Sequence, residues 1–516
     1  MAEDKKYTAE ELQAEGAAKE RFSKLDADRS SVLDRARECA KLTIPSVVTE
    51  DGHTEQDDLD TPYQAVGSRL VHNLSSKLLL TLLPPNTSFA RLVPNPEIVE
   101  LVQQQQGGED DLEKNLVTIE QEMMKQIERE ALRVPAFEAV KSLVIAGNSL
   151  LYKTDTGLKA YKLHNYVIQR DFSGNPNEMI VQEAVSKDTL PEDIRDALEG
   201  DQDVAEMEKV TIYTRAVKRN GVWYEYQTVE DVVVVGSEAE YADEQELPFI
   251  PLRWTSINGE HYGRGLVEQY LGDFRSLEAL YQLLLEASSV MSRVLFGKRA
   301  GSTVDVADIN EAENGSCILG DLEQDITTLR VDKGADLQVP MNMVQEITRR
   351  LEQAFLAASS AARDSERTTA TEIRYMAADL EKSLGGVYSI LSLELQRPLA
   401  YLLLKQSKID VQSLGIELVI VTGIEALGRN AELDKIRQFN ALLQETGAGE
   451  MILGRMKIGN YIDKIANALS FDATDLIKSE EEIAQEQQAA QQAQLLQQGA
   501  GNLVDGMTQP QQQPQQ

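Results

Sequence analysis

Between residues 65 and 83 the apolar side chains Val66, Leu70, Leu74, Leu78 and Leu82 recur at every fourth position, and Pro84-Pro85 ends the run. That spacing gathers one apolar stripe on a helix, which the proline pair cannot extend. Helices are also predicted over about 110–132 and 135–146, so the first 150 residues or so read as mostly helical. An acidic loop precedes the helix at 65–83, with Glu50, Asp51, Glu55, Asp57, Asp58 and Asp60.

From about 149 to 256 short β-rich runs take over: LLYK, LKAYKL, YVIQRD, EMIVQEAV, VTIYTRAV, VWYEYQTV and DVVVV. Asn220-Gly221 lies between two of them and predicts a hairpin, because both residues tolerate positive φ. A second turn is predicted at 155–157. These features predict an antiparallel α+β unit of roughly a hundred residues.

Gly263-Arg264-Gly265 then opens a helical stretch to about Arg293, striped by Val267, Tyr270, Leu271, Phe274, Leu277, Tyr281, Leu284 and Leu285. At full length it would be a rod of about 45 Å. Residues 297–340 are irregular, with short strands predicted at SCILG and ITTLRV. A second helix follows, with Val344, Ile347, Leu351 and Phe355 on one face. Two helices bracketing a small module predict an antiparallel pair with a distal cap.

After the small-residue stretch LAASSAARDSERTTAT, Thr369 and Glu372 have capping-box spacing. The helix starting there carries Ile373, Met376, Leu380, Leu384, Leu391 and Leu395 towards Lys405. Gly385-Gly386 in its middle costs about 2 kcal/mol relative to two alanines. A kink or close helix packing accounts for that cost, and Pro398 is expected to add a bend. Beyond about 425 the chain reads as helical, ending in a Gln-rich run and the tail MTQPQQQPQQ, which cannot build a core.

Composition changes the picture chiefly through charge. The 516 residues exceed one hydrophobic core, and 51 basic against 85 acidic residues give a net charge of −34. Nucleic-acid affinity comes largely from basic side chains neutralising phosphates, so general binding of polyanions is not expected. The acidity fits a merely soluble, self-repelling surface, or one that must lie near DNA without gripping it. Residues 341–370 differ: Arg349, Arg350, Arg363 and Arg367 balance Glu346, Glu352, Asp364 and Glu366.

Chemistry is scarce. Cys39 and Cys317 allow no CxxC pair or disulfide framework and point to a reducing, intracellular origin. The charged N-terminus lacks the apolar core of a signal peptide, and no apolar stretch approaches the roughly 18 residues of a membrane span. Gly297-Lys298 is followed by Arg299, where a phosphate loop needs Ser or Thr, and Gly263 and Gly265 are half a dinucleotide fingerprint. His53, His72, His164 and His261 form no zinc pair, and the acidic loop lacks EF-hand spacing. With so many carboxylates, a catalytic-looking pair carries no information. Neither a cofactor nor enzymatic activity is expected.

Several stretches carry a resemblance: LTIPS at 42–46, TPYQAVGSRL at 61–70, AGNSLLY at 146–152, YVIQRD at 166–171 and LPEDIR at 190–195. EQYLGDFRSLE at 268–278, TEIRYMAADLEKSLGGVYSILSLELQ at 371–396 and GIEALGR at 423–429 continue it in order. Together they resemble the portal, or head-to-tail connector, proteins of short-tailed double-stranded-DNA phages. The resemblance is weak over 297–340 and after about 430.

The resemblance implies a mainly α fold with an α+β wing, assembled as a ring of about twelve copies at one capsid vertex, where the head meets the tail. Residues 1–262 would be the wing, 263–296 and 341–358 the stem helices, and 297–340 the clip. Residues 359–370 would form the tunnel loop, 371–425 the long kinked wing helix and return to the body, 426–498 the crown, and 499–516 a disordered tail. The implied partners are the major capsid and scaffolding proteins, the terminase large subunit in transit, tail adaptor proteins and internal core proteins at the crown. Double-stranded DNA would pass through without sequence-specific binding, no membrane would be involved, and assembly would take place in the host cytoplasm.

A tunnel loop containing Ser359, Ser360, Arg363, Asp364, Glu366 and Arg367 is then expected to line the channel. Arg363 and Arg367 would touch the phosphate backbone lightly, without reading bases. They would equally serve by pairing with Asp364, Glu366 or a neighbouring copy. Gly385-Gly386 would let the long helix flex, or would admit a neighbouring helix. Lys298 and Arg299 would dock an acidic partner, or belong to a solvated loop. Rival readings are another helical phage structural protein, such as a tail adaptor or scaffold, and more remotely an acid-base hydrolase.

Overall fold

A computed structural model describes most of residues 6–420; outside the description lie 1–5, 96–108, 191–208 apart from Arg195, 314–325, 330–333, 358–381, 410–414 and a few single positions. Beyond 420 only Ala441 is described. The chain divides into two compact units, Met1–Ile424 and Glu425–Gln516, and the account below concerns the first.

The N-terminal helices α1 (Ala9–Glu15), α2 (Ala18–Asp28) and α3 (Ser30–Lys41) are followed by α4, Val66–Leu82, as the four-residue apolar spacing predicts. Its Leu70, Leu74 and Leu78 are fully buried. They belong to one large core with Val140 and Leu143 of Arg133–Ala146, a helix that packs on α4. Glu109–Arg129 supplies a further helix.

Every strand pair among the described residues is antiparallel. The largest sheet has the order β4 (Tyr166–Arg170), β5 (Pro176–Ser186), β6 (Lys209–Arg219), β7 (Val222–Val229), β8 (Val232–Val233), with β9 (Ala239–Tyr241) also pairing with β7. Asn220 and Gly221 stand at φ 54° and 91°, so the β6–β7 connection is the tight two-residue turn that their sequence predicts. A smaller sheet runs β10 (Phe249–Arg253), β2 (Asn148–Thr154), β3 (Gly157–Tyr161). Strand β10 escaped the sequence reading, as did β1 (Ala90–Pro94), which pairs with β13 (Ile416–Ile420) from the far end of the unit.

The half-fingerprint glycines have a structural reason. Asn148 Nδ2 donates to the Gly263 carbonyl at 2.9 Å, and Asn148 Oδ1 accepts from the Gly263 N–H at 2.7 Å. A Cβ on Gly265 would stand 2.6 Å from the Ile145 carbonyl oxygen. Backbone meets backbone here, which is why only glycine fits.

Tyr152 ties the smaller sheet to the larger through a carboxylate that Tyr241, on the larger sheet, also holds. Tyr152 and Tyr241 each donate a hydroxyl hydrogen to the buried Glu225 carboxylate, at 2.9 and 2.8 Å. Burial pushes Glu225 above the usual glutamate value, although both tyrosine hydrogen bonds oppose that shift.

Candidate functional site: a helix pair with an uncovered apolar half

The stretch predicted as one rod from 263 is two helices, Leu266–Gln269 and α8, Leu271–Ser292. Tyr270 breaks it at φ −109° and ψ 18°, with its N–H bonded three residues back to Val267 and its ring 6.1 Å from that of Phe355. The 22 residues of α8 make a rod of about 33 Å, shorter than expected. The second helix, α10 (Gly334–Ala354), begins before the predicted 341 and contains Pro340. Lacking an N–H, a proline near a helix start forfeits a single backbone bond, so it did not mark the boundary.

These helices pack antiparallel. Near the body, Phe274 and Phe355 meet edge to face at 5.7 Å, and Arg350 donates to Asp273 at 2.8 Å. At the other end, strand β11 (Leu295–Lys298) pairs with β12 (Ile326–Leu329). ITTLRV therefore supplies a strand, paired with one starting at Leu295 that was not predicted, while SCILG lies outside the described residues. A short helix, Val306–Glu311, lies between the two strands in sequence.

The base is fastened to the body by charge. Arg69 donates to Glu352 at 2.7 Å, and Lys77 Nζ donates to the Leu356 carbonyl at 2.6 Å. Arg275 grips both oxygens of Glu38 at 2.5 and 2.6 Å. That hydrogen-bonded guanidinium holds the Glu38 carboxyl below its usual range, outweighing a slight desolvation.

Burial differs sharply along the pair. At the base Phe274, Leu277, Leu351 and Phe355 have no exposure. Further out, Leu283, Leu285, Val290, Val339, Met341 and Met343 are all between 48% and 63% exposed. The predicted stripe thus runs into solvent: Leu285 shares a face pattern with Phe274 yet is about half exposed. Exposed apolar side chains of this size on both helices mark a candidate association surface.

Of the predicted site residues, Lys298 and Arg299 are exposed where β11 ends, next to a turn in which the Ser302 N–H bonds the Arg299 carbonyl. Arg350 is engaged by Asp273, whereas Arg349 is exposed and makes no ion pair with a described residue. Ser359, Ser360, Arg363, Asp364, Glu366 and Arg367 lie outside the described residues. Gly385 stands at φ 43° and ψ −107°, outside helical values, and α11 restarts as Gly386–Leu391. Among the described residues, a Cβ on Gly386 would meet nothing within 4 Å. A π-helical turn, Ser392–Gln396, then precedes the helix Arg397–Gln406 that contains Pro398. The widened turn accommodates the residue that cannot donate.

Among the described residues no cluster of three or more His, Cys, Asp or Glu suits a metal ion, and no helix is long and apolar enough to cross a membrane.

The chain is 37% identical to the portal protein of Escherichia phage T7, over 96% of this chain and 94% of that protein. It is 36% identical to the portal protein of Enterobacteria phage T3, over 91% and 89%, and 34% identical to that of Enterobacteria phage SP6, over 95% of each. Against a solved chain from the virion of a native gene transfer agent particle the TM-score is 0.36 at 10% identity, covering 74% of this chain and 86% of that one, too loose to carry structural detail across. Residues 15–477 match the family model for the bacteriophage head to tail connecting protein, and the chain belongs to that family.

Proposed function

We propose that this head-to-tail connector protein is the subunit of a portal ring, through which double-stranded DNA enters and leaves the phage head. The observation that carries the reading is the uncovered apolar half of the helix pair. One copy leaves it in water, and a closed ring covers it with the neighbouring copies. The helix pair is then the stem and the β11–β12 end the clip, where terminase and later the tail adaptor dock, with Lys298 and Arg299 among the contacts. The sheet-bearing body is the wing, in touch with capsid and scaffolding proteins. Residues 426–498 are the crown, beside internal core proteins. The ring has about twelve members, is assembled in the host cytoplasm and is retained in the virion.

The channel needs DNA to slide both ways. Dense arginine contacts would release counterions and hold the duplex, whereas a net charge of −34 repels it from the walls. Arg363 and Arg367 then supply a few weak contacts at the constriction, and the Gly385 break lets the long helix adjust there. The protein itself carries out no catalysis; the packaging motor supplies the work.

Electron microscopy of the purified full-length chain tests this reading. Closed rings with a central hole are expected, and a compact monomer at every concentration overturns it. Alanine at both Arg363 and Arg367 is expected to leave rings intact and impair packaging; normal packaging rules out that part.

A further inference from the structure

The end of the large sheet that carries the β4–β5 and β6–β7 turns opens into a cleft of about 550 Å³, lined in part by Glu15, Arg21, Glu178, Arg215, Arg219 and Asn220. Glu178 lies in it, 4% exposed. One of its oxygens accepts from Arg21 Nε at 2.7 Å and the other from Arg215 Nε at 2.9 Å. A single carboxylate therefore serves two guanidiniums. Arg219 Nη1 donates to the Lys218 carbonyl at 3.1 Å, but its carboxylate contact, to Glu15, is long at 3.4 Å, and both side chains are partly open to solvent. Here four arginines and Lys218 face two carboxylates, in a chain whose acidic residues outnumber basic ones by 85 to 51. Against that background the cleft is a local reversal of sign.

Its complement lies elsewhere on the same chain. Glu50, Asp58 and Asp60 are exposed, and none of them forms an ion pair with a described residue. They line a separate cleft with Arg37 and His53, which shares no residue with the first. In a head-to-tail ring each interface joins two different patches, one from each copy, so an arginine patch and an acidic patch on one chain meet across every seam.

We propose that the acidic loop of one copy docks on the arginine cleft of the next, a body-to-body contact additional to the one between helix pairs. The proposal rests on the ring reading. A carboxylate from Asp58 or Asp60 gives Arg219 a closer carboxylate than Glu15, by a charge-assisted hydrogen bond. Because both patches are open to solvent, the contact weakens with salt.

The test uses the full-length chain with Arg219→Glu, with Asp58→Arg plus Asp60→Arg, and with all three changes together. Ring fraction is measured against concentration at low and high salt, and melting of the dissociated chain monitors folding. Each reversal alone is expected to weaken association about tenfold at low salt, the scale of one such contact turned repulsive. The triple variant is expected to recover it, since every seam regains opposite charges. Arg219→Glu that assembles like the unaltered chain overturns the contact, including the case where the cleft serves another acidic partner. A triple variant as weak as the singles also overturns it. Absence of rings from the unaltered chain overturns the ring reading instead.

Discussion

The two halves of the helix pair are built from the same kinds of residue and meet opposite fates. At the base, Phe274, Leu277, Leu351 and Phe355 are sealed against the body, and Asp273–Arg350 and Glu38–Arg275 fasten the edges. In the outer half, Leu283, Leu285, Met341 and Met343 stand in water. Apolar area stabilises only when it is covered, so the base belongs to the folding of one chain and the outer half, in the proposed ring, to its association. Substitutions separate the two contributions.

The largest loss of stability is expected at the base. Phe355→Ala removes a fully buried ring from the Tyr270–Phe274 cluster and should destabilise the dissociated chain by about 3–5 kcal/mol in urea unfolding. A loss near zero would mean that the cluster is not a core. Next comes Gly265→Ala, whose methyl group would collide with the Ile145 carbonyl; about 1–3 kcal/mol is expected, read in the same way.

A smaller effect depends on pH. Burial raises Glu225 above its usual 4.5, so the folded chain holds that proton more tightly than the unfolded one. Its contribution is complete below the usual value and is lost as pH rises through the folded one. Glu225→Gln is expected to flatten this decline in Tm from pH 4.5 upward, and an unchanged slope would assign the decline to other groups. Glu38, lowered by Arg275, works in the opposite sense: its contribution is present above the usual value and fades on acidification through the lowered one.

The smallest stability effect sharpens the comparison most. Leu285→Ser with Met341→Ser should change unfolding of the dissociated chain by no more than about 0.5 kcal/mol, as exposed positions do. The same pair of changes should abolish ring formation in electron microscopy. Rings that survive would place the seam elsewhere on the molecule.

Local order was legible in the sequence and distant order was not. The four-residue spacing of Leu70, Leu74 and Leu78 located a helix, and Asn220-Gly221 located a hairpin, because both signals lie within a few residues. Strand β1 was missed altogether, since Ala90 pairs with Ile420 and no local periodicity links them. Gly263 and Gly265 suggested half a ligand fingerprint, because the close approach of Ile145 is not written next to them. Leu285 was placed correctly on a stripe, but period alone does not say whether the covering surface comes from the same chain. The arginine cleft left no local signal at all, since Arg21, Glu178 and Arg215 come from three separate elements. The predicted tunnel-loop residues lie outside the described ones.

The pairing of β1 with β13 also sets a schedule for synthesis. Residues 271–354 leave the ribosome with their outer apolar stripe complete while residues 90–94 still wait for 416–420. At about 5–20 residues per second, adding residues 355–420 takes roughly three to thirteen seconds. Throughout that interval the adhesive part of the chain is finished and the body that should present it is not. In the proposed ring reading, nascent chains on one messenger can therefore stick before they are whole, and well-spaced initiation with rapid elongation favours orderly subunits over tangled ones.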